Sequence, residues 1–244
     1  MNSSIAQVKQ ISACLPRLGS AGDVIYPVFP GVFLAGTIFV ETLQTDYDRM
    51  VNTISQLVLG THGWLETLLF VAFGAVLVGL ANRLRGVSVF LLPAGFAFFM
   101  VAAFPTVGPG ENETMVSIIH EYAAMAAVAL LPAACFKLYL CLKNDAASRE
   151  MRMICLAAGI CGLILGLAGL LALSTESNYI GAIERMILLN GLIWLQAVGI
   201  YVWHSNPRKS GNHTRYMPKI SRDTQRAITV PVQSRYWQTE RLHE

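Results

Sequence analysis

Charge is what this sequence has least of. Only 14% of its 244 residues are Asp, Glu, Lys or Arg, while 54% are hydrophobic. A soluble globular domain carries about 25% charged residues, enough to coat a water-facing surface. This chain cannot do so, and its mean hydropathy is +0.50. The shortage excludes disordered, coiled-coil and collagen-like classes and argues against an ordinary soluble enzyme. Other absences narrow the chemistry. No Walker loop, Rossmann glycine fingerprint or GxSxG elbow falls in a suitable context, and no CxxC spacing suggests a metal. No internal repeat is detectable, which argues against an inverted-repeat transporter. No segment alternates with the period of two of a transmembrane barrel strand. A bis-histidine haem needs paired membrane histidines, and only His120 lies inside a span. No cofactor and no metal centre is therefore predicted.

What the sequence does have is long apolar runs. Six stand out, at roughly 24–43, 63–81, 87–104, 115–142, 153–173 and 181–203. Each is long enough for a helix to cross the hydrocarbon of a bilayer, which takes about 20 residues. Backbone groups in lipid must bond within their own segment, so helices are the consistent choice. The predicted fold class is all-α, an integral membrane bundle of six transmembrane helices. The organisation is a leader over 1–23, the bundle over 24–204, and a basic tail over 205–244 read as disordered. The N-terminus does not fit a cleavable signal peptide, because its first apolar run starts only near Val24 and is long enough to span.

Loop charge predicts sidedness. The leader, the second and fourth links and the tail hold 15 of the 18 Lys and Arg residues. The positive-inside rule then places both termini in the cytoplasm of a cell with an inner membrane. Nine of the 15 acids lie at or beyond the opposite ends of the spans. No cysteine falls in an outer loop; four lie in the inner halves of spans four and five, where no disulfide is expected. The tail carries eight basic residues against three acids, scattered rather than blocked, which suits topology or a lipid surface and not nucleic acid.

Span five carries Gly159, Gly162, Gly166 and Gly169. The Gly162/Gly166 pair permits close helix approach. It reads either as packing inside one bundle or as a homo-oligomer face. Asn190 and Gln196, beside Trp194 in span six, are expected to bond to neighbouring helices at about 1 kcal/mol each.

Ionisable groups inside spans are expensive and mark function or buried pairing. Here they collect at one depth near the outer ends: His62 and Glu66, His120 and Glu121, Glu184 and Arg185. The first outer loop adds Asp46, Tyr47, Asp48, Arg49, Asn52 and Ser55. Converging in one bundle, these groups would form an outward polar pocket. His120 and Glu184 are the candidates for acid–base catalysis. Arg185, Ser55, Asp48 and Glu66 are the candidates for binding a small anionic or lipid ligand. A metal held by His62, Glu66 and His120, a carrier's gating cluster, and plain structural pairing of Arg185 with an acid are the competing readings.

The order of these features resembles the bacterial and archaeal six-span family called domain of unknown function 998. The residues that carry the likeness are Asn52-Thr53-Ile54-Ser55-Gln56-Leu57 with Gly60, Phe104-Pro105-Thr106, His120, Gly181 with Glu184-Arg185, and Trp194. They extend over about 24–204. The resemblance implies a shared fold without an established activity, and it singles out Ser55, His120, Glu184 and Arg185. The sequence departs from the family pattern at Gln56 and Val107, where acids are often found. The function expected is a multi-pass membrane protein that binds a small ligand at its outer end. A membrane enzyme, or a carrier or accessory subunit, is the alternative.

Overall fold

The computed structural model describes residues 21–205, apart from 109, 144 and 176. The readings on the leader up to residue 20 and on the tail beyond 205 fall outside the described residues. Six helices are long and apolar enough to cross a membrane. They are α1 (Ile25–Thr42), α2 (Gly63–Arg83), α3 (Ser88–Ala103), α4 (Met115–Cys141), α5 (Arg149–Ser174) and α6 (Ile180–His204). The described residues contain no strand. The apolar runs set the helices, and polar caps set several of their ends. Thr114 accepts from the Ser117 N–H at 3.2 Å while its own N–H donates to Ser117 Oγ at 2.9 Å, a reciprocal cap that starts α4. α5 begins four residues before its apolar run, with Glu150 in its first turn, where a helix N-terminus favours an acid.

Each helix packs on its neighbours in chain order, and α1 closes onto α6, so the six form a ring. The closure is antiparallel. Gly199, near the end of α6, lies so close to the start of α1 that a Cβ there would sit 2.5 Å from the Tyr26 carbonyl carbon. At the other end Arg185 of α6 meets Glu41 of α1. Aromatic rings fill the α1–α3 side: Phe29, Phe33 and Phe73 pack edge to face, and Phe73 stacks on Phe98 at 4.2 Å. Trp194, Leu195, Leu138 and Cys155 fill the other side.

The glycines of α5 serve this packing. Cβ atoms at Gly162 and Gly166 would meet Pro132 at 2.8 Å and Val128 at 3.2 Å, both on α4, and one at Gly169 would meet Ile187 on α6 at 3.2 Å. The Gly162/Gly166 face is thus covered within the chain. Asn190 donates to the Ala158 carbonyl of α5 at 3.0 Å, as its place in span six suggested. Cys135, Cys155 and Cys161 are free thiols.

Candidate functional site

The 43–62 connection, the 104–114 link and the 175–179 link lie at one end of the ring, called here the acidic end. Within the first connection a short 3-10 helix, Ile54–Leu59, buries Ile54, Ser55 and Leu57 and packs against α1, α2 and α6. It roofs that end of the bundle. Gln56 helps to shape it: Gln56 Oε1 accepts from the Thr53 N–H at 3.1 Å and the Asn52 amide at 3.2 Å, and Nε2 donates to the Val107 carbonyl at 3.4 Å. The Gln56 amide thus serves both as an acceptor within its own turn and as a donor toward the α3–α4 link.

Arg185 fastens this roof. Its Nε and Nη2 donate to Glu41 Oε1 at 3.1 and 2.7 Å. Nη2 also donates to the Tyr47 hydroxyl, and Nη1 donates to the carbonyls of Arg49, Asn52 and Gly181, each at 2.9 Å. Every guanidinium N–H is therefore committed. The cation also lies 5.3 Å from the centre of the Tyr47 ring. Tyr47 donates onward to the Thr53 carbonyl at 2.7 Å. Burial pushes the Tyr47 phenol well above its ordinary range, despite the nearby Arg185, so it stays a donor. Glycine is required at 181, because a Cβ there would lie 2.3 Å from the Asn52 carbonyl oxygen.

Glu184 holds the roof from the next position. Its Oε2 accepts from the Ile54 N–H at 2.6 Å, and Oε1 accepts from Ser55 Oγ at 3.3 Å. A carboxylate at the N-terminus of a 3-10 turn is a favourable pairing. Two buried side chains near this end of the ring are not fully satisfied. Glu66 is 0% exposed; its Oε1 accepts from Thr37 Oγ1 at 3.1 Å and its Oε2 has no partner. His120 is 3% exposed; its Nδ1 bonds to the carbonyls of Phe104 at 2.6 Å and Val101 at 3.2 Å, and its Nε2 has no partner. Both Nδ1 partners are acceptors only, so Nδ1 carries a proton. The third such atom, the Trp194 indole N–H, lies beside the Cys155 thiol away from this end.

A family model described as "Protein of unknown function (DUF998)" matches residues 27–201, which include every residue of this site. The chain belongs to the DUF998 family. No curated protein and no solved structure matches it.

In this DUF998 protein the residues picked from sequence are distributed unevenly. Ser55, Glu66, Glu184 and Arg185 gather under and around the roof, and His120 lies on α4 at a similar depth. His120 and Glu184, paired in the acid–base reading, are each engaged with different partners. Asp48 is exposed, and its Oδ1 accepts from the Met50 N–H at 2.8 Å, so it shapes the local turn. The exposed loop surface carries a shallow hollow lined by Thr45, Asp46, Tyr47, Asp48 and Arg49. His62 and Glu121 are exposed. Among the described residues no three His, Cys, Asp or Glu side chains are grouped to hold a metal ion. Two DUF998 site residues escaped the sequence reading, Thr37 and Glu41. A signal was present: Phe33, Thr37 and Glu41 recur every fourth residue, and all three are buried on one stripe of α1.

Proposed function

We propose that this DUF998 protein is a membrane-embedded binding protein that holds a small ligand in the polar layer beneath the Ile54–Leu59 helix. The observation that carries the reading is the carboxyl of Glu66, fully buried with one oxygen unpartnered. An unpaired acceptor there costs about 1–3 kcal/mol, more if charged, and a guest that supplies a donor removes that cost. The ligand sits on the Glu66 and Ser55 side of the layer. Arg185, the residue picked from sequence to grip an anion, has no N–H to spare. In this reading the chain lies in an inner membrane with both termini cytoplasmic, supported by the 15 of 18 basic residues on the terminal side, and the layer opens outward. Lipid surrounds it, consistent with the exposed Leu163, Ile164, Leu167 and Leu171 of α5.

The test is native mass spectrometry of gently extracted protein. The wild type should carry one small-molecule adduct per chain, and Glu66→Gln should lose it while remaining monodisperse. An unliganded wild type that does not differ from the variant would remove the reading. A reporter fused after Glu113 should read as external; a cytoplasmic signal would reverse the direction in which the layer opens.

A further inference from the structure

The three carboxyl groups near the Ile54–Leu59 helix differ in one respect. Glu41 has both oxygens taken by cations: Oε1 meets Arg185 at 2.7 Å and Oε2 meets Arg49 at 2.9 Å. Glu184 has both oxygens taken by donors of the roof, the Ile54 N–H and the Ser55 hydroxyl. Glu66 has one oxygen to spare. Thr37 Oγ1 donates to its Oε1, and its Oε2 is buried without a partner. Glu41 and Glu184 lie within its electrostatic reach, and so does Arg185, whose N–H groups are all committed elsewhere. α3, which packs on α2, has no ionisable side chain, and neither has the roof helix. Among the described residues Glu66 makes no ion pair. A carboxylate taken out of water with one hydrogen bond and no ion pair is far costlier than the neutral acid in the same place. The site is also tied to the roof. Glu66 lies in the first turn of α2, and that turn begins against the roof, where a Cβ at Gly63 would collide with the Val58 carbonyl.

The geometry points to Glu66 as a proton-binding site: with the roof closed its carboxyl holds a proton on Oε2, and opening of the roof to water releases it. This goes beyond the binding reading, since it concerns the proton and holds with or without a guest. Losing that proton while closed would set a further carboxylate beside Glu41 and Glu184, with Arg185 already spent. The closed form therefore binds one proton more than the open form, and rising pH favours opening, by up to about tenfold per pH unit. The neighbouring acids would act with the opposite sign. Glu41 and Glu184 hold their partners by accepting, so a proton gained by either would remove an acceptor and loosen the roof as pH falls.

The experiment is hydrogen–deuterium exchange of the full chain in phosphatidylcholine nanodiscs, read over residues 53–60. There the Thr53, Gln56 and Gly60 amides are bonded within the roof. Protection corrected for intrinsic exchange reports local opening. It should fall by up to about tenfold per pH unit as pH rises above the ordinary carboxylate value of about 4.3, and then level off. Glu66→Gln, a neutral isostere of the acid, should keep the low-pH protection throughout. Should that variant fail to fold, infrared difference spectroscopy of the wild type decides instead: the band of a buried protonated carboxyl must vanish over the pH range in which protection falls. A step that persists in Glu66→Gln, or protection lost toward low pH, would overturn the proposal and assign the titration to Glu41 or Glu184. Flat protection with an unchanging carboxyl band would also overturn it, and would leave the adduct sought by native mass spectrometry untouched. A protein that carries no adduct yet shows the Glu66-dependent step loses the guest and keeps the proton.

Discussion

Arg185 shows how one residue can look like a ligand grip in sequence and act as a fastener in three dimensions. An arginine in a membrane span is costly unless its charge and all its donors are met. Here Glu41 meets the charge and four loop or helix oxygens meet the rest. The fork geometry matters, because a lysine ammonium cannot reach a carboxylate, a phenol and three carbonyls together. We expect Arg185→Ala to lower stability by about 3 kcal/mol or more by leaving Glu41 buried without this partner, and Arg185→Lys to recover less than half of the loss. Thermal unfolding in detergent measures both. Preserved stability in the alanine variant would restore Arg185 to the ligand role read from sequence. At Gln56 the expectation is mild. Glu in its place keeps the acceptor for the Thr53 N–H but sets a carboxylate oxygen against the Val107 carbonyl where Nε2 donated at 3.4 Å, so the midpoint should fall by about 1 kcal/mol equivalent.

The helices themselves were readable from the sequence because lipid leaves the backbone little choice. A run of apolar residues about 20 long must satisfy its own hydrogen bonds, and each of the six runs became one helix. Their ends were less readable where polar residues continue a helix beyond the hydrocarbon, as at Arg149–Arg152 of α5. The short Ile54–Leu59 helix was not foreseen as an element, though its residues were singled out; its pattern is too short for periodicity, and its place depends on contacts to Glu184 and Val107 far along the chain. Glu41 was passed over for a related reason. Counting acids by side of the membrane hid the stripe that turns this one inward. The glycine stripe of α5 had two readings in sequence, and the packing distances support the one within the bundle. The tightest seam is elsewhere: Gly199→Leu should drive a side chain into α1 backbone at Tyr26 and lower stability by about 1–3 kcal/mol, seen as a fall in thermal midpoint. An unchanged midpoint would mean that α1 and α6 do not meet as closely as described.

At the scale of the molecule, the ring separates two environments. Its buried polar side chains lie toward the two ends, most of them at the acidic end, and its outer face shows large apolar side chains, densest on α5. Leu167→Lys on that face should leave the bundle's packing alone and impair insertion by about 2.5–3.5 kcal/mol, measured by a glycosylation-tagged insertion assay. Insertion equal to wild type would place Leu167 against protein and not lipid.

The order of the ring has a consequence for synthesis. Five of the six seams join helices adjacent in the chain, so each can form as its second helix enters the membrane. The sixth, α1 against α6, joins the first helix made to the last. Until α6 arrives, Glu41 has no Arg185 and the Ile54 N–H has no Glu184. A chain stopped short of α6 thus leaves Glu41 with Arg49 in place of two cations and the Ile54 N–H without its acceptor, the kind of defect that membrane quality control acts upon. The same contacts that fasten the roof would report, to the cell, that the last helix is in place.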